Sequence, residues 1–200
     1  YAGVTVEKRE GNFALNSKQV VHILDLPGAY SLDARTPDEA ITAEVIQGLR
    51  SDEDAPNALV DVADCTNIER NLYLVLQLIE LKIPTLLALT MSDLARKSGI
   101  KIDIPELSKR LGIPVVLVSA RKGTGLTTLI TEIAALQHAK MEMSHEKTNN
   151  NSTQIIRRYQ TIETILKAVY SQKSSAAELS KKIDRVLLHK IIGPALMFIF

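Results

Sequence analysis

The amino-acid sequence predicts an α/β protein, in which a mostly parallel sheet with flanking helices is followed by a small all-α domain. Up to about residue 140, short β-rich runs alternate with stretches of helical periodicity, which is the pattern of βα units. Several of these runs are apolar throughout, as is typical of strands covered on both faces. After a polar stretch at 144–154 only helical patterns follow, and we therefore place a domain boundary there.

The elements are predicted in chain order from these patterns. Strands around residues 5–7, 13–15 and 19–24 come first, joined by turns at Gly11-Asn12 and Asn16-Ser17. The later strands are the apolar runs 58–63, 85–89 and 115–118. Helices are predicted where apolar residues recur at helical spacing, over 68–82, 126–138, 155–170 and 176–188.

The composition narrows the class of protein and of partner. With 46% hydrophobic and 24% charged residues, the 200-residue chain is globular rather than disordered or fibrous. A net charge of +1 provides no summed field to attract nucleic acid, so no nucleic-acid partner is expected. The single cysteine, Cys65, excludes an internal disulfide and is expected to be a small core residue. The four histidines lack metal-ligand spacing, which argues against a zinc site.

The C-terminal stretch IIGPALMFIF (191–200) is uncharged and covers about half of the roughly 20 residues that cross a bilayer. The residues alone leave two interpretations open. The stretch is either the start of a transmembrane helix or a helix or strand packed on its own domain.

Asp25-Leu26-Pro27-Gly28 follows a predicted strand, at the edge where ligands bind in open α/β sheets. A carboxylate there can hold Mg²⁺, and the Gly28 N–H can approach a terminal phosphate because no Cβ crowds it. The alternative is a β-turn that leaves the strand. Thr5 offers a hydroxyl that can ligate Mg²⁺, or is simply a β-branched strand residue.

Two further motifs follow the next strands, Thr90-Met91-Ser92-Asp93 and Ser119-Ala120. The Asp93 carboxylate can accept hydrogen bonds from the guanine N1–H and N2–H₂ groups, a donor pair that adenine lacks. A backbone N–H at Ser119-Ala120 can reach the base carbonyl. The alternatives are a helix N-cap for the first motif and an ordinary βα loop for the second.

The order and spacing of these motifs resemble a P-loop GTPase read from its second motif onward. Longer stretches resemble the cytoplasmic region of the ferrous-iron transporter B (FeoB) family. They are AGVTVEKREG, DLPGAYSL, DVADCTNIERNLYLVLQLIEL and DRVLLHKIIGP. The third stretch is far more specific than any single nucleotide-binding motif.

This resemblance implies a P-loop GTPase-like fold that binds GTP or GDP with Mg²⁺. Thr5 would be the switch I Mg²⁺ ligand, and Asp25 and Gly28 would contact the metal and the γ-phosphate in switch II. Asp93 would read the base, and Ser119-Ala120 would touch its carbonyl.

The resemblance also implies how the chain is organised. Residues 1–143 would be the GTPase domain, 144–154 the linker, 155–190 the helical domain, and 191–200 the start of the first transmembrane helix. The implied function is a regulatory domain that gates Fe²⁺ uptake by slow GTP hydrolysis at the cytoplasmic face of the bacterial inner membrane. Its partners would be guanine nucleotide and its own transmembrane domain, with a homo-oligomer left open.

The sequence departs from the family's pattern at three places. No Gly-x-x-x-x-Gly-Lys-[Ser/Thr] occurs, so the first strand and the phosphate loop are expected to be absent and the chain alone to be inactive. Thr90 stands where the base-reading motif normally has an Asn that braces the nucleotide-binding loops. Ala29 stands where Ras-like GTPases place a Gln that orients water, so no catalytic side chain is assigned and turnover is expected to be slow.

Two other functions compete with this one. The first is a non-catalytic GTPase-like fragment that only contacts partners. The second is a soluble GTPase of the translation or ribosome-assembly type. The apolar C-terminal stretch argues against the second, and the near-neutral charge lacks the basic face that ribosomal RNA favours.

Overall fold

The computed structural model describes residues 9–16, 19–51, 53–136 and 151–172. The strands are β1 (Arg9–Asn16), β2 (Gln19–Asp25), β3 (Leu59–Asp64), β4 (Thr85–Thr90), β5 (Lys101–Ile102), β6 (Val115–Leu117) and β7 (Tyr170–Gln172). The α-helices are α1 (Pro37–Ile46), α2 (Ile68–Glu80), α3 (Ser92–Lys97), α4 (Ile104–Leu111), α5 (Leu126–Leu136) and α6 (Ser152–Val169). Short 3₁₀ turns at Cys65–Asn67 and Ala120–Lys122 come after β3 and β6.

A three-stranded parallel sheet, in the order β3-β4-β6, forms the centre of the protein. The middle strand β4 is buried from Thr85 to Leu89 because helices cover both of its faces. Leu87 and Leu89 pack with residues of α2 and α4 on one face, and Leu86 and Ala88 pack with residues of α5 on the other. The predicted α/β class with a mostly parallel sheet is therefore confirmed.

Several helices begin at residues whose side chains cap them. The Asp103 carboxylate accepts a hydrogen bond from the Glu106 N–H (3.0 Å) at the start of α4, and the Asn151 side chain accepts one from Gln154 N–H (2.9 Å) at the start of α6. Helix α4 ends at Gly112, whose φ of 70° is a left-handed conformation that glycine adopts without strain. Local sequence thus sets where these helices begin and end.

Strands β1 and β2 form an antiparallel hairpin, in which Gly11 pairs with Ile23 and Asn12 with His22. The predicted turn at Gly11-Asn12 is therefore wrong. Main-chain pairing continues through both residues, and the Asn12 side chain lies 3.1 Å from His22 Nδ1 across the hairpin. No described strand hydrogen-bonds the hairpin to β3.

Helix α2 is buried on two sides, whereas the sequence pattern predicted a single apolar stripe. Ile68, Leu72 and Val75 join the core cluster that includes β4 and Cys65. Leu74 and Leu78 join a second cluster with α1 and the loop after β2. The prediction that Cys65 is a small core residue is confirmed, since its side chain is 1% exposed.

Helix α6 packs against α2 and α4, and its Ile162, Ile165 and Val169 belong to the same core cluster as β4. The Arg158 guanidinium is buried and donates to both Glu80 carboxylate oxygens, at 3.0 and 2.6 Å. The short strand β7 that follows pairs antiparallel with β5, although only helical patterns were predicted in this part of the chain. Its two paired residues gain main-chain hydrogen bonds from the free edge of β5.

None of the helices in the described ranges is both long enough and apolar enough to cross a bilayer. The predicted strand at 5–7, the predicted helix at 176–188 and the apolar stretch 191–200 lie outside those ranges, as does most of the predicted linker. Helix α6 begins at Ser152, three residues before the helical spacing that starts at residue 155.

Candidate functional site

The polar residues predicted to bind a ligand follow the carboxyl ends of three strands. Strand β2 ends at Asp25, strand β4 ends at Thr90, and Ser119 comes two residues after β6. Strands β4 and β6 are parallel neighbours, and the Val118 N–H extends their pairing by donating to the Leu89 carbonyl (2.7 Å). Thr90 and Ser119 therefore lie at the same edge of the sheet, where open α/β sheets bind ligands.

Asp25 and Gly28 lie on one exposed segment between β2 and α1. The Asp25 carboxylate makes no hydrogen bond or ion pair with any residue that the structure describes. A Cβ added at Gly28 would meet no heavy atom within 4 Å, so the backbone there is open to an incoming group. The predicted alternative, a β-turn, is not formed at residues 26–29. An exposed carboxylate beside an open backbone N–H is suited to a metal-bound phosphate.

The Thr90 side chain joins the ends of two strands. Its hydroxyl donates to the Ala63 carbonyl near the end of β3 (3.1 Å). The next residue, Met91, has a left-handed conformation (φ 55°) and caps α3 without a side-chain hydrogen bond. This conformation turns the chain from the strand directly into the helix. The Thr90 hydroxyl thus braces the two strand ends, as the Asn of the family's motif is expected to do.

Asp93 lies in the first turn of α3 and is half-buried. The alternative interpretation made this motif a helix N-cap, but the N-cap is Met91, and the Asp93 carboxylate bonds to none of the described residues. A carboxylate in the first helical turn is stabilised by the helix dipole. Because no described residue bonds to the Asp93 carboxylate, both of its oxygens are available as hydrogen-bond acceptors.

Ser119 is 2% exposed, and its hydroxyl is the one fully buried side-chain polar atom in the described ranges that has no hydrogen-bond partner. Its backbone N–H is used, since it donates to the Thr124 carbonyl (3.0 Å). Ala120, which follows it, is exposed and begins a 3₁₀ turn. A buried hydroxyl without a partner costs free energy, so the Ser119 hydroxyl is a candidate for contact with a ligand.

Gly125 closes the Ser119 loop, and any other residue at this position would force neighbouring backbone atoms to move. Gly125 has φ 81°, and a Cβ there would lie 2.1 Å from the Leu117 carbonyl oxygen. Gly123 also has a positive φ (67°), but the space around it is open. The close approach of Gly125 to β6 holds the Ser119-Ala120 segment next to the strand end.

Two polar residues, one partly buried and one completely buried, stand inside apolar runs and were not predicted to have a role. Asp61 interrupts β3, and the apolar surroundings raise its pKa to about 6. Gln77 lies in α2 and is completely buried. The sequence signal for both residues is a charged or amide side chain inside an otherwise apolar run.

Burial and the nearby Asp64 carboxylate raise the pKa of the Cys65 thiol to about 11, so this thiol is protonated and unreactive at neutral pH.

The structure thus places the predicted residues in two groups. Thr90, Asp93, Ser119 and Ala120 lie on adjacent strand ends, and Asp25 and Gly28 lie on a separate exposed segment. Thr5 lies outside the described residues. Within the described ranges, no three His, Cys, Asp or Glu side chains cluster closely enough to hold a metal by themselves.

The parallel sheet has an aspartate with free acceptor oxygens and an unpartnered buried hydroxyl at its strand ends, which is the design of a nucleotide-binding α/β domain. Sequence comparison gives the family: the profile described as "Ferrous iron transport protein B" matches residues 1–133. The chain belongs to this family. It is 44% identical over 129 residues to the Fe(2+) transporter FeoB of Salmonella typhimurium and 43% identical over 129 residues to that of Escherichia coli K12. These matches cover 64% of the chain and 16% of each relative.

Solved structures of relatives show the same fold. The cytosolic domain of L. pneumophila FeoB is 28% identical, with a TM-score of 0.68, and the match covers 86% of this chain and 87% of that one. The FeoB G-domain of Methanococcus jannaschii is 42% identical (TM-score 0.59; 65% and 80% covered). The GMPPNP form of the T. maritima FeoB cytosolic domain is 27% identical (TM-score 0.69; 86% and 88% covered). The P-loop GTPase-like fold implied by the resemblance is therefore confirmed.

Proposed function

We propose that this chain is the GTP-binding regulatory part of a membrane Fe²⁺ transporter and that slow GTP hydrolysis gates iron uptake. The matched region spans about a sixth of the length of the curated relatives, so the transport activity is proposed for the whole transporter. Support for the nucleotide comes from relatives solved in GMPPNP and GDP forms. Support for the transported ion comes from the names of the curated relatives.

The observation that carries the proposal is the group of polar residues at the ends of β4 and β6. Asp93 offers two acceptors without a partner, matching the two donors on the guanine edge. The exposed Ala120 backbone N–H would donate to the guanine carbonyl oxygen. The buried Ser119 hydroxyl would gain its missing partner when the base is bound. Thr90 would brace the pocket through its bond to the Ala63 carbonyl.

The phosphate end would involve Asp25, Gly28 and Thr5. The exposed Asp25 carboxylate and the Thr5 hydroxyl would hold Mg²⁺, and the open Gly28 N–H would contact the γ-phosphate. When bound, Mg²⁺ would neutralise negative charge on the phosphates. Ala29, next to Gly28, has no polar side chain to orient a water molecule, which supports slow hydrolysis and a gating role.

The proposed organisation follows the sequence analysis. Residues 1–143 are the GTPase domain, 144–154 the linker and 155–190 the helical domain, with 191–200 entering the membrane from its cytoplasmic face. The contact of α6 with α2 and α4 supports a helical unit that packs on the GTPase domain rather than one that hangs freely from it. The proposed partners are guanine nucleotide and the protein's own transmembrane domain.

The test is Asp93→Asn in the full-length protein, because this sequence contains no phosphate-loop motif and the 200-residue chain alone is expected to bind nucleotide weakly. Asn presents one donor and one acceptor, which suits the xanthine edge better than the guanine edge. We expect the preference for GTP over xanthosine triphosphate to fall by about 100-fold, equivalent to about 3 kcal/mol. Competition against a fluorescent GDP analogue measures both affinities.

Asp103→Asn is the matched control, because Asp103 caps α4 and Asn caps a helix equally well. Its base preference should equal that of the unchanged protein. If Asp93→Asn also leaves the preference unchanged, Asp93 does not read the base and the proposed guanine specificity is wrong.

A further inference from the structure

Gln77 is a polar residue in the most buried part of α2. It is 0% exposed, between the buried Leu74 and Leu78, in a helix whose buried residues are otherwise apolar. Burying an amide costs free energy unless all of its polar atoms find partners. The partners of Gln77 therefore indicate what its position contributes.

All of the hydrogen bonds of the Gln77 side chain go to the segment that follows Asp25-x-x-Gly28. Its Oε1 accepts from the Leu32 N–H (2.8 Å) and from the Ser31 hydroxyl (3.1 Å), and its Nε2 donates to the Asp33 carboxylate (3.4 Å). The donor at Leu32 requires an oxygen opposite it, so the orientation of the amide is determined by the network. A single side chain thus binds three consecutive residues that are 44 to 46 positions away in sequence.

The same segment is anchored at two other points. The Thr42 hydroxyl of α1 donates to the Pro27 carbonyl (2.7 Å), and the Arg70 guanidinium of α2 lies 3.6 Å from the centre of the Tyr30 ring. Gly28 and Ala29 lie between the anchored residues and make no hydrogen bond themselves among the described residues. The backbone N–H of Gly28 is therefore held in place from both sides while its own surface stays open.

We propose that Gln77 is a positioning residue that holds residues 31–33 in one conformation and so places the Gly28 backbone for the γ-phosphate. This inference rests on the proposed GTPase function. Gln77 does not touch the nucleotide site itself, since its partners are Ser31, Leu32 and Asp33. Its effect would pass along the three residues that separate Leu32 from Gly28, a length over which a chain tethered at both ends has little freedom.

The variant that isolates this role is Gln77→Met, because Met has a similar unbranched shape but lacks the acceptor and the donor. Gln77→Glu is the conservative variant, because burial beside the Asp33 carboxylate favours a protonated Glu, which keeps an acceptor for Leu32 and Ser31 and can donate to Asp33. Val75→Ala is the matched control. Val75 is equally buried in α2 but packs in the other core cluster, so its truncation weakens the helix packing without touching residues 31–33.

The first measurement is amide hydrogen exchange of the peptide that contains Leu32, made on the 200-residue chain without nucleotide. Loss of the acceptor should make this amide exchange at least about 10-fold faster in Gln77→Met. Gln77→Glu and Val75→Ala should retain most of its protection. Equal exchange in Gln77→Met and the unchanged chain would overturn the proposal, whatever the nucleotide does.

The second measurement is GTP hydrolysis by the full-length protein. A displaced Gly28 should lower kcat by about 10- to 100-fold in Gln77→Met and change KM by less than about 2-fold, with recovery in Gln77→Glu. Faster exchange with an unchanged kcat would show that the segment is held but that holding it does not position the reaction. Absence of GTP hydrolysis in the unchanged full-length protein would instead refute the proposed function, and the two failures are thus distinguishable.

Discussion

Asp61 makes the stability of this chain depend on pH, and Asp61→Asn should remove that dependence. The residue pairs with the fully buried Leu87 across the sheet, and its neighbours on the same face of β3, Leu59 and Ala63, pack into the apolar clusters. No described residue donates a hydrogen bond to the Asp61 carboxylate. Burial in these surroundings raises its pKa from 3.8 to about 6.

The size and sign of the effect follow from that pKa. A tenfold change in an acid dissociation constant is worth about 1.4 kcal/mol, so the change from 3.8 to about 6 corresponds to about 3 kcal/mol. The folded state favours the protonated carboxyl, whereas the unfolded chain ionises at the ordinary pKa. Stability is therefore unaffected below pH 4, falls as the pH rises from about 4 to 6, and stays reduced above that. Asn has a similar shape and no charge, so it avoids this loss.

Urea unfolding followed by far-ultraviolet circular dichroism measures the difference between Asp61→Asn and the unchanged chain. At pH 7.5 the variant should be more stable by about 3 kcal/mol, and at pH 4 by less than about 1 kcal/mol. Asp54→Asn, on the exposed loop before β3, should change stability by less than about 0.5 kcal/mol at both pH values. A difference between Asp61→Asn and the unchanged chain that is the same at both pH values would refute the burial argument.

Two further predictions concern packing at the edges of the protein. Gly125→Ala should lower the free energy of unfolding by about 2 to 4 kcal/mol, because the new Cβ would lie 2.1 Å from the Leu117 carbonyl oxygen. Gly123→Ala should lower it by only about 1 kcal/mol, since the space is open and only the positive φ of Gly123 opposes the change. Thermal unfolding of both variants tests this, and equal losses would contradict it. Glu80→Ala should cost about 1 to 3 kcal/mol because it removes both hydrogen bonds to the buried Arg158. Glu163→Ala, which breaks an exposed pair with Lys167, should leave the unfolding midpoint nearly unchanged, and a similar shift in both glutamate variants would show that burial of Arg158 adds nothing.

The parallel sheet and the residues at its edge were predictable from sequence because they depend on local signals. Strands β3 and β4 are short apolar runs with polar residues at their carboxyl ends, and that pattern places Thr90 and Asp93 at a ligand-binding edge. The chain direction of a parallel strand determines which edge its last residue reaches. Helix α4, which begins after the Asp103 cap, was not predicted.

The contacts of Gln77, Asp61 and Arg158 were not predictable, because their partners are distant in sequence. Gln77 bonds to residues 44 to 46 positions away, and Arg158 bonds to Glu80 across 78 positions. No periodicity links such residues. The turn predicted at Gly11-Asn12 was wrong for a related reason, since pairing with β2 overrides the local preference of Gly and Asn for turns.

Helix α2 carries long-range polar contacts both to the loop after β2 and to α6. Gln77 holds residues 31–33, and one turn later Glu80 holds the buried Arg158. A movement of residues 31–33 away from α2 would leave the Leu32 N–H and the Gln77 amide buried without partners, which costs free energy. If α2 moves, Glu80 moves with it, and Arg158 has to follow or lose its two charged hydrogen bonds. The geometry therefore ties the position of the segment after Gly28 to the position of α6 through the buried Gln77 and the exposed Glu80 of one helix.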